Sequence, residues 1–178
     1  MMEERVRVRR AATNDLGAIL GVLRANADDP SLFQQPEGQT RRTLNDFFVA
    51  EKDDGHIVGC IALHRHRRRI AELLALAVHP EVHGHGIGRA LLKAAIDEAR
   101  EYKSEIIWLG SRKTSYFEQF GFCPFSRWDL PVTVLLEKLR LVLQQPIRRW
   151  IPAIFGGHVF MKWTDSHRAT VSPIRSLK

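Results

Sequence analysis

The run Leu74-Ala75-Leu76-Ala77-Val78-His79-Pro80-Glu81-Val82-His83-Gly84-His85-Gly86-Ile87-Gly88-Arg89-Ala90-Leu91-Leu92 constrains the fold more than any other part of the chain. An apolar, strand-like segment stops at a proline, alternating glycines follow, and helical spacing begins at once. Glycine at 84, 86 and 88 removes side-chain cover from the amides that open the helix. First-turn amides have no partner inside a helix, and the helix dipole favours negative charge there. Strand, bare turn and helix N-terminus together describe a cradle for phosphate or pyrophosphate.

The glycine spacing narrows the choice of ligand. Counted from Gly84, the last glycine of a G-x-G-x-x-G dinucleotide fingerprint is replaced by Arg89. A P-loop needs Gly-Lys-Ser or Gly-Lys-Thr, and the chain contains neither. The pattern V-x-P-x-x-[Q/R]-x-x-G-x-[G/A] is met at Val78, Pro80, Gly86 and Gly88, with His83 where Gln or Arg is usual. That segment resembles the acetyl-CoA loop of the GNAT superfamily of N-acetyltransferases. Ser115-Tyr116-Phe117-Glu118-Gln119-Phe120-Gly121-Phe122 resembles the F-Y-E-K-x-G-F helix of the same superfamily, and residues 7–20 resemble its opening strand. The likeness covers roughly residues 5–125, with a closing strand expected near 158–163.

A narrower likeness is to the catalytic domain of N-acetylglutamate synthases. It rests on residues 48–53 and 57–63, on Ala71-Glu72-Leu73 followed by Ala77-Val78-His79-Pro80, on Leu109 with Arg112, and on Asp129-Leu130-Pro131. Two features depart from that family. The chain opens directly at the first acetyltransferase strand, without an amino-acid-kinase domain. The stretch 131–157 is longer than the family's and enters where acceptor-binding residues are expected, so the likeness leaves the acceptor open.

The resemblance implies an α/β fold, a mixed and mostly antiparallel twisted sheet of six or seven strands flanked by helices. It also implies acetyl-CoA as cosubstrate and an N-acetyltransferase acting on a small amine, with an amino acid such as glutamate, and hence arginine biosynthesis, favoured. Backbone groups at Leu76, Ala77 and Val78 would hold the pantetheine arm, and the amides of His83, Gly84, His85, Gly86, Ile87, Gly88 and Arg89 the diphosphate. Phe117 would lie against the arm. It takes the place of the tyrosine that often protonates the leaving thiolate, which makes the neighbouring Tyr116 the candidate acid, with solvent as the alternative donor.

Glu72 is the one carboxylate in the run 71–78 and the candidate general base. The plainer alternative is a strand-end glutamate in solvent, or one paired with an arginine of the turn 67–69. Arg112 could hold an acceptor carboxylate or a cofactor phosphate with its fork of donors, or face solvent. His79, His83 and His85 lack a carboxylate or cysteine at ligand spacing, so no metal site is expected.

Periodicity predicts strands over 5–10, 47–51, 57–64, 71–78, 106–109 and 158–163, and helices over 16–23, 41–45, 86–102, 114–120 and 132–143. The run 64–69 reads as an exposed hairpin turn. Residues 1–163 read as one domain, and 164–178 as a basic, disordered tail. Cys60 and Cys123 make no disulfide framework and read as small packed hydrophobes. The net charge of +7 admits nucleic acid as a partner, or equally an anionic cofactor. Aromatics are missing from 65–69, which disfavours nucleic acid. A protein amine as acceptor, and a non-catalytic basic module, are the competing readings. No secretory signal or membrane span is read, which makes the cytoplasm the default. The segment 131–157 is a cap for the acceptor groove, a homodimer contact or a core helix.

Overall fold

In a computed structural model, residues 6–29, 36–66, 69–136 and 158–164 are described. The elements run β1 (Val6–Arg10), α1 (Leu16–Ala25), α2 (Glu37–Arg42), β2 (Phe47–Lys52), β3 (Ile57–His66) and β4 (Ile70–Val78). They continue with α3 (Ile87–Glu101), β5 (Ile106–Ser111), α4 (Thr114–Glu118), β6 (Phe122–Pro124) and β7 (Val159–Trp163). The strands among the described residues form one sheet in the order β1-β2-β3-β4-β5-β7-β6. Of these described pairs, β4 and β5 alone run parallel, because α3 crosses between them, as a parallel connection requires.

Alternation along the strands divides the core. Ile61, Leu63, Ala71 and Leu73 face α3, whose Leu91, Leu92, Ala95 and Ala99 are fully buried against them. Gly59 lets α3 approach, since a Cβ there would meet Leu91 Cδ1 at 2.9 Å. On the other face Val49, Cys60 and Ala62 pack beneath Ile19 and Val22 of α1. Burying each such aliphatic side chain contributes about 1.5–3 kcal/mol relative to exposure.

The first helix is fastened through charge. Asp15, buried, accepts the Ala12 amide at 2.7 Å and Arg9 Nη1 at 2.6 Å, and the same guanidinium forks onto Glu51 at 2.8 and 2.9 Å. Arg9 holds the Asp15 carboxyl below its ordinary range, and the Glu51 carboxyl likewise.

Several expectations change on inspection. The third strand continues past 64, so His64 and His66 belong to β3 and not to an exposed turn. The reason is a buried partner for His66, described below. The short helix expected over 41–45 lies earlier, at Glu37–Arg42, and a 3-10 turn at Leu44–Asp46 leads into β2. Cys60 is buried, its thiol pushed up to about 12 by desolvation. Cys123 is exposed at the sheet edge, so the packing role does not hold for it. Leu130 and Val134 are buried beside Trp108. The remainder of the segment from 137 to 157 and the tail from 165 lie outside the described residues.

Candidate functional site

The site begins with a break in β4. Ile61 of β3 stands opposite a step in register, and Ala75 adopts φ 52, a conformation that L residues other than Gly and Asn visit at a cost of roughly 1–2 kcal/mol. This is a β-bulge, which bends a strand and re-aims its groups. Cys60 Sγ lies 3.7 Å from the Ala75 carbonyl oxygen. The parallel pairing of β4 with β5 ends at the rung Glu72–Trp108, and beyond it the two strands part. Main-chain groups on that side of residues 73–78 therefore lose their strand partner and face a V-shaped cleft.

The cleft encloses about 400 Å³. Its walls are residues 73–78 of β4, Leu109, Gly110 and Ser111 of β5, the glycine turn with the start of α3, and Tyr116, Phe117 and Phe120. Gly84 and Gly86 have φ 83 and 76, and Gly86 caps α3 in the left-handed conformation, where glycine alone is unstrained. His83 donates its amide to Pro80, and the next amide to find a backbone acceptor is that of Ala90, which reaches Gly86. Among the described backbone hydrogen bonds, the consecutive amides of residues 84–89 thus have no carbonyl acceptor. Such a row of donors at a helix N-terminus is an anion nest.

Side chains of the turn brace it. His83 Nε2 lies 2.8 Å from the Val78 carbonyl, so it carries the hydrogen and donates. His85 Nδ1 does the same toward the carbonyls of Val82 and His83, at 3.2 and 3.0 Å. One ring nitrogen of each imidazole is therefore committed to the loop itself. Asn26, at the end of α1, gives its amide to Val22 and Val78 carbonyls at 2.9 and 3.0 Å. Asn26 also lines the cleft, as do Asp29, Lys113 and Gln119. None of these was singled out from sequence, because each is brought there by tertiary packing.

Tyr116 and Phe117 both line the cleft, although they are successive residues of a short helix. The Tyr116 ring packs edge-on against Phe117, and its hydroxyl lies against Gly88, where an added Cβ would stand 2.8 Å away. Burial pushes the phenol above its ordinary value, so it stays protonated and can donate. Glu72 does not line the cleft. It sits buried at the apex, on the last rung before the strands part, with Oε2 3.0 Å from His66 Nε2. It is thus not in solvent. His66 stacks toward Trp108, and His64 meets Asp46 at 2.9 Å on the same face. Arg112 is exposed outside the cleft; burial, and secondarily the charge of Arg112, holds the His158 imidazole below its ordinary value.

Against known proteins, residues 13–122 match the model of the acetyltransferase (GNAT) family. The chain belongs to that family. The sequence is 33% identical over 135 residues to an amino-acid acetyltransferase of Mycobacterium tuberculosis, covering 75% of this chain and 77% of the relative. It is 30% identical to an amino-acid acetyltransferase of Yersinia enterocolitica, covering 74% of this chain and 30% of that longer relative. The chain thus spans under a third of the length of most of the curated relatives it matches. Among solved structures, a Mycobacterium tuberculosis protein in complex with CoA and NLQ superimposes with TM-score 0.72 at 26% identity, covering 88% of this chain and 98% of that one. The N-acetylglutamate synthase of Neisseria gonorrhoeae, complexed with coenzyme A and N-acetyl-glutamate, shares the fold with TM-score 0.68 at 23% identity, covering 90% of this chain and 35% of that one. The expected mixed, mostly antiparallel sheet of six or seven strands flanked by helices is found, with seven strands among the described residues.

Proposed function

We propose that this protein is an acetyl-CoA-dependent N-acetyltransferase whose acceptor is an α-amino acid, with glutamate the first to test and arginine biosynthesis the implied setting. One observation carries the reading: an opened strand edge leads directly into a row of uncommitted amides at a helix N-terminus. The likeness to the Mycobacterium tuberculosis amino-acid acetyltransferase, which this chain matches over most of both lengths, supports the amino acid as acceptor.

When bound, acetyl-CoA supplies an activated acetyl group as a thioester. The residues fit such a ligand, since the diphosphate finds the amides of residues 84–89 and the positive end of α3. The main-chain edge at Leu76, Ala77 and Val78 holds the arm, and Phe117 forms an apolar wall for it. Tyr116 donates its hydroxyl at the glycine-turn end, where it helps fix the cofactor; solvent then protonates the leaving thiolate. Glu72 takes the proton from the amine through a water at the apex, because its carboxylate stands behind the last rung and not in the cleft. Holding amine and thioester together removes most of the entropic barrier to transfer.

The basic surface has its own partners. Arg65 pairs with Glu98 at 3.1 Å and Arg69 with Glu105 at 3.0 Å, so these two arginines of the basic run are engaged by neighbouring carboxylates. That speaks against a nucleic-acid module. The deciding experiment incubates purified protein with acetyl-CoA and a panel of amino acids, and follows free thiol. Release with one or more amino acids is expected. Turnover with protein lysines or N-termini alone overturns the small-molecule reading.

A further inference from the structure

The cleft contains one charge that an anionic cofactor does not explain. Arg89 at the start of α3 suits a diphosphate, but the other cation, Lys113, is paired with Asp29, the one carboxylate among the described residues lining the cleft. Asp29 Oδ2 lies 2.6 Å from Lys113 Nζ, a contact between residues 84 positions apart. The pair joins the turn after α1 to the start of α4 and so crosses the open end of the V. α1 covers the face of the sheet opposite α3. The start of α3 serves the diphosphate, so the side of the cleft that carries this bridge is the one left for an acceptor.

We infer that Lys113 is the acceptor-carboxylate anchor and that Asp29 is its internal stand-in, displaced when an amino acid binds. The inference rests on the amino-acid acceptor proposed above. A lysine ammonium makes a strong, charge-assisted bond to any carboxylate that reaches it. Asp29 keeps Lys113 extended across the cleft between turnovers, and the price is competition with the substrate. The main chain fixes the anchor's base, since the Lys113 amide donates to Ser111 Oγ at 3.0 Å. The bridge is partly exposed, with Lys113 60% and Asp29 28% accessible, so water screens it and exchange is cheap.

Competition makes a prediction of opposite sign for the two partners. In the full chain, Lys113→Ala should raise the acceptor KM about tenfold while leaving the acetyl-CoA KM and kcat within about twofold. Lys113→Arg should restore most of the affinity. Asp29→Asn should lower the acceptor KM about threefold, because the anchor is then unmasked. Against the same amino acid as its α-amide, Lys113→Ala should have no effect on KM. A merely structural bridge predicts equal damage from both variants, and that result, or a rise in the acetyl-CoA KM instead, overturns the inference alone. If the unaltered protein acetylates no amino acid, the functional reading fails first and takes this one with it.

Discussion

His66 and Glu72 form a buried hydrogen-bonded contact, 3.0 Å between Nε2 and Oε2 with both side chains nearly inaccessible, at the point where β4 leaves β5. A carboxylate taken out of water needs a partner, and a histidine two strand positions beyond His64 supplies one from the neighbouring strand.

Replacing Glu72 by Gln keeps the shape and removes the base. The expected outcome is a loss in kcat on the order of 10²–10⁴ with little change in either KM, measured by thiol release. His66→Phe should behave differently. It removes one buried hydrogen-bond partner of Glu72, at a cost of roughly 1–3 kcal/mol in stability, visible as a lowered midpoint in urea.

At the glycine turn, Gly86→Ala should strain the left-handed cap by roughly 1–2 kcal/mol, and Gly88→Ala should push the Tyr116 hydroxyl aside. Both should raise the acetyl-CoA KM, about tenfold, with kcat much less affected. Tyr116→Phe should leave kcat within about threefold. A loss of 10² or more in kcat would instead make Tyr116 the acid for the thiolate.

Acid stability follows from Asp15. Its carboxyl titrates lower in the folded protein than in the unfolded chain, chiefly because Arg9 donates to it. A depressed value means that the contribution is present above the unfolded value, near 4, and fades as pH falls through the folded one. Asp15→Asn should therefore lower Tm by a few degrees at pH 7, about 2–4 °C for each kcal/mol lost. The gap to the unaltered protein should close as pH falls below about 4. A difference that persists unchanged to pH 2 would show that the hydrogen-bonding shape of Asp15 matters and its charge does not.

What the sequence showed clearly was local. Gly84, Gly86 and Gly88 beside an apolar run announce the nest, because both halves of that device are contiguous in the chain. The helical spacing over 86–102 was legible for the same reason. The His66–Glu72 pair was hidden inside His-Arg-His-Arg-Arg-Arg, a composition that reads as a solvated turn unless the facing strand is known. Asp29 and Lys113 carry no mutual signal at all, since only the packing of α1 over the sheet brings them together. Cys123 looked apolar by type and lies exposed, as its strand is the sheet's edge.

The bulge is the feature least marked in sequence, because alanine, not glycine, occupies the left-handed position. That choice can be tested directly. Ala75→Gly removes the Cβ clash with its own backbone and should stabilise the fold by up to about 1 kcal/mol, less whatever the freer unfolded chain gains. Activity should survive, since the edge keeps its aim. Ala75→Val demands the same φ from a β-branched residue, and the bulge should shift to relieve it. Closing β4 back toward β5 would re-pair the edge at Leu76 and Val78, so acetyl-CoA affinity should fall while the fold persists. Stability from urea titration and cofactor affinity from calorimetry separate the two effects. If Ala75→Val binds acetyl-CoA as the unaltered protein does, the bulge is not what opens the cleft.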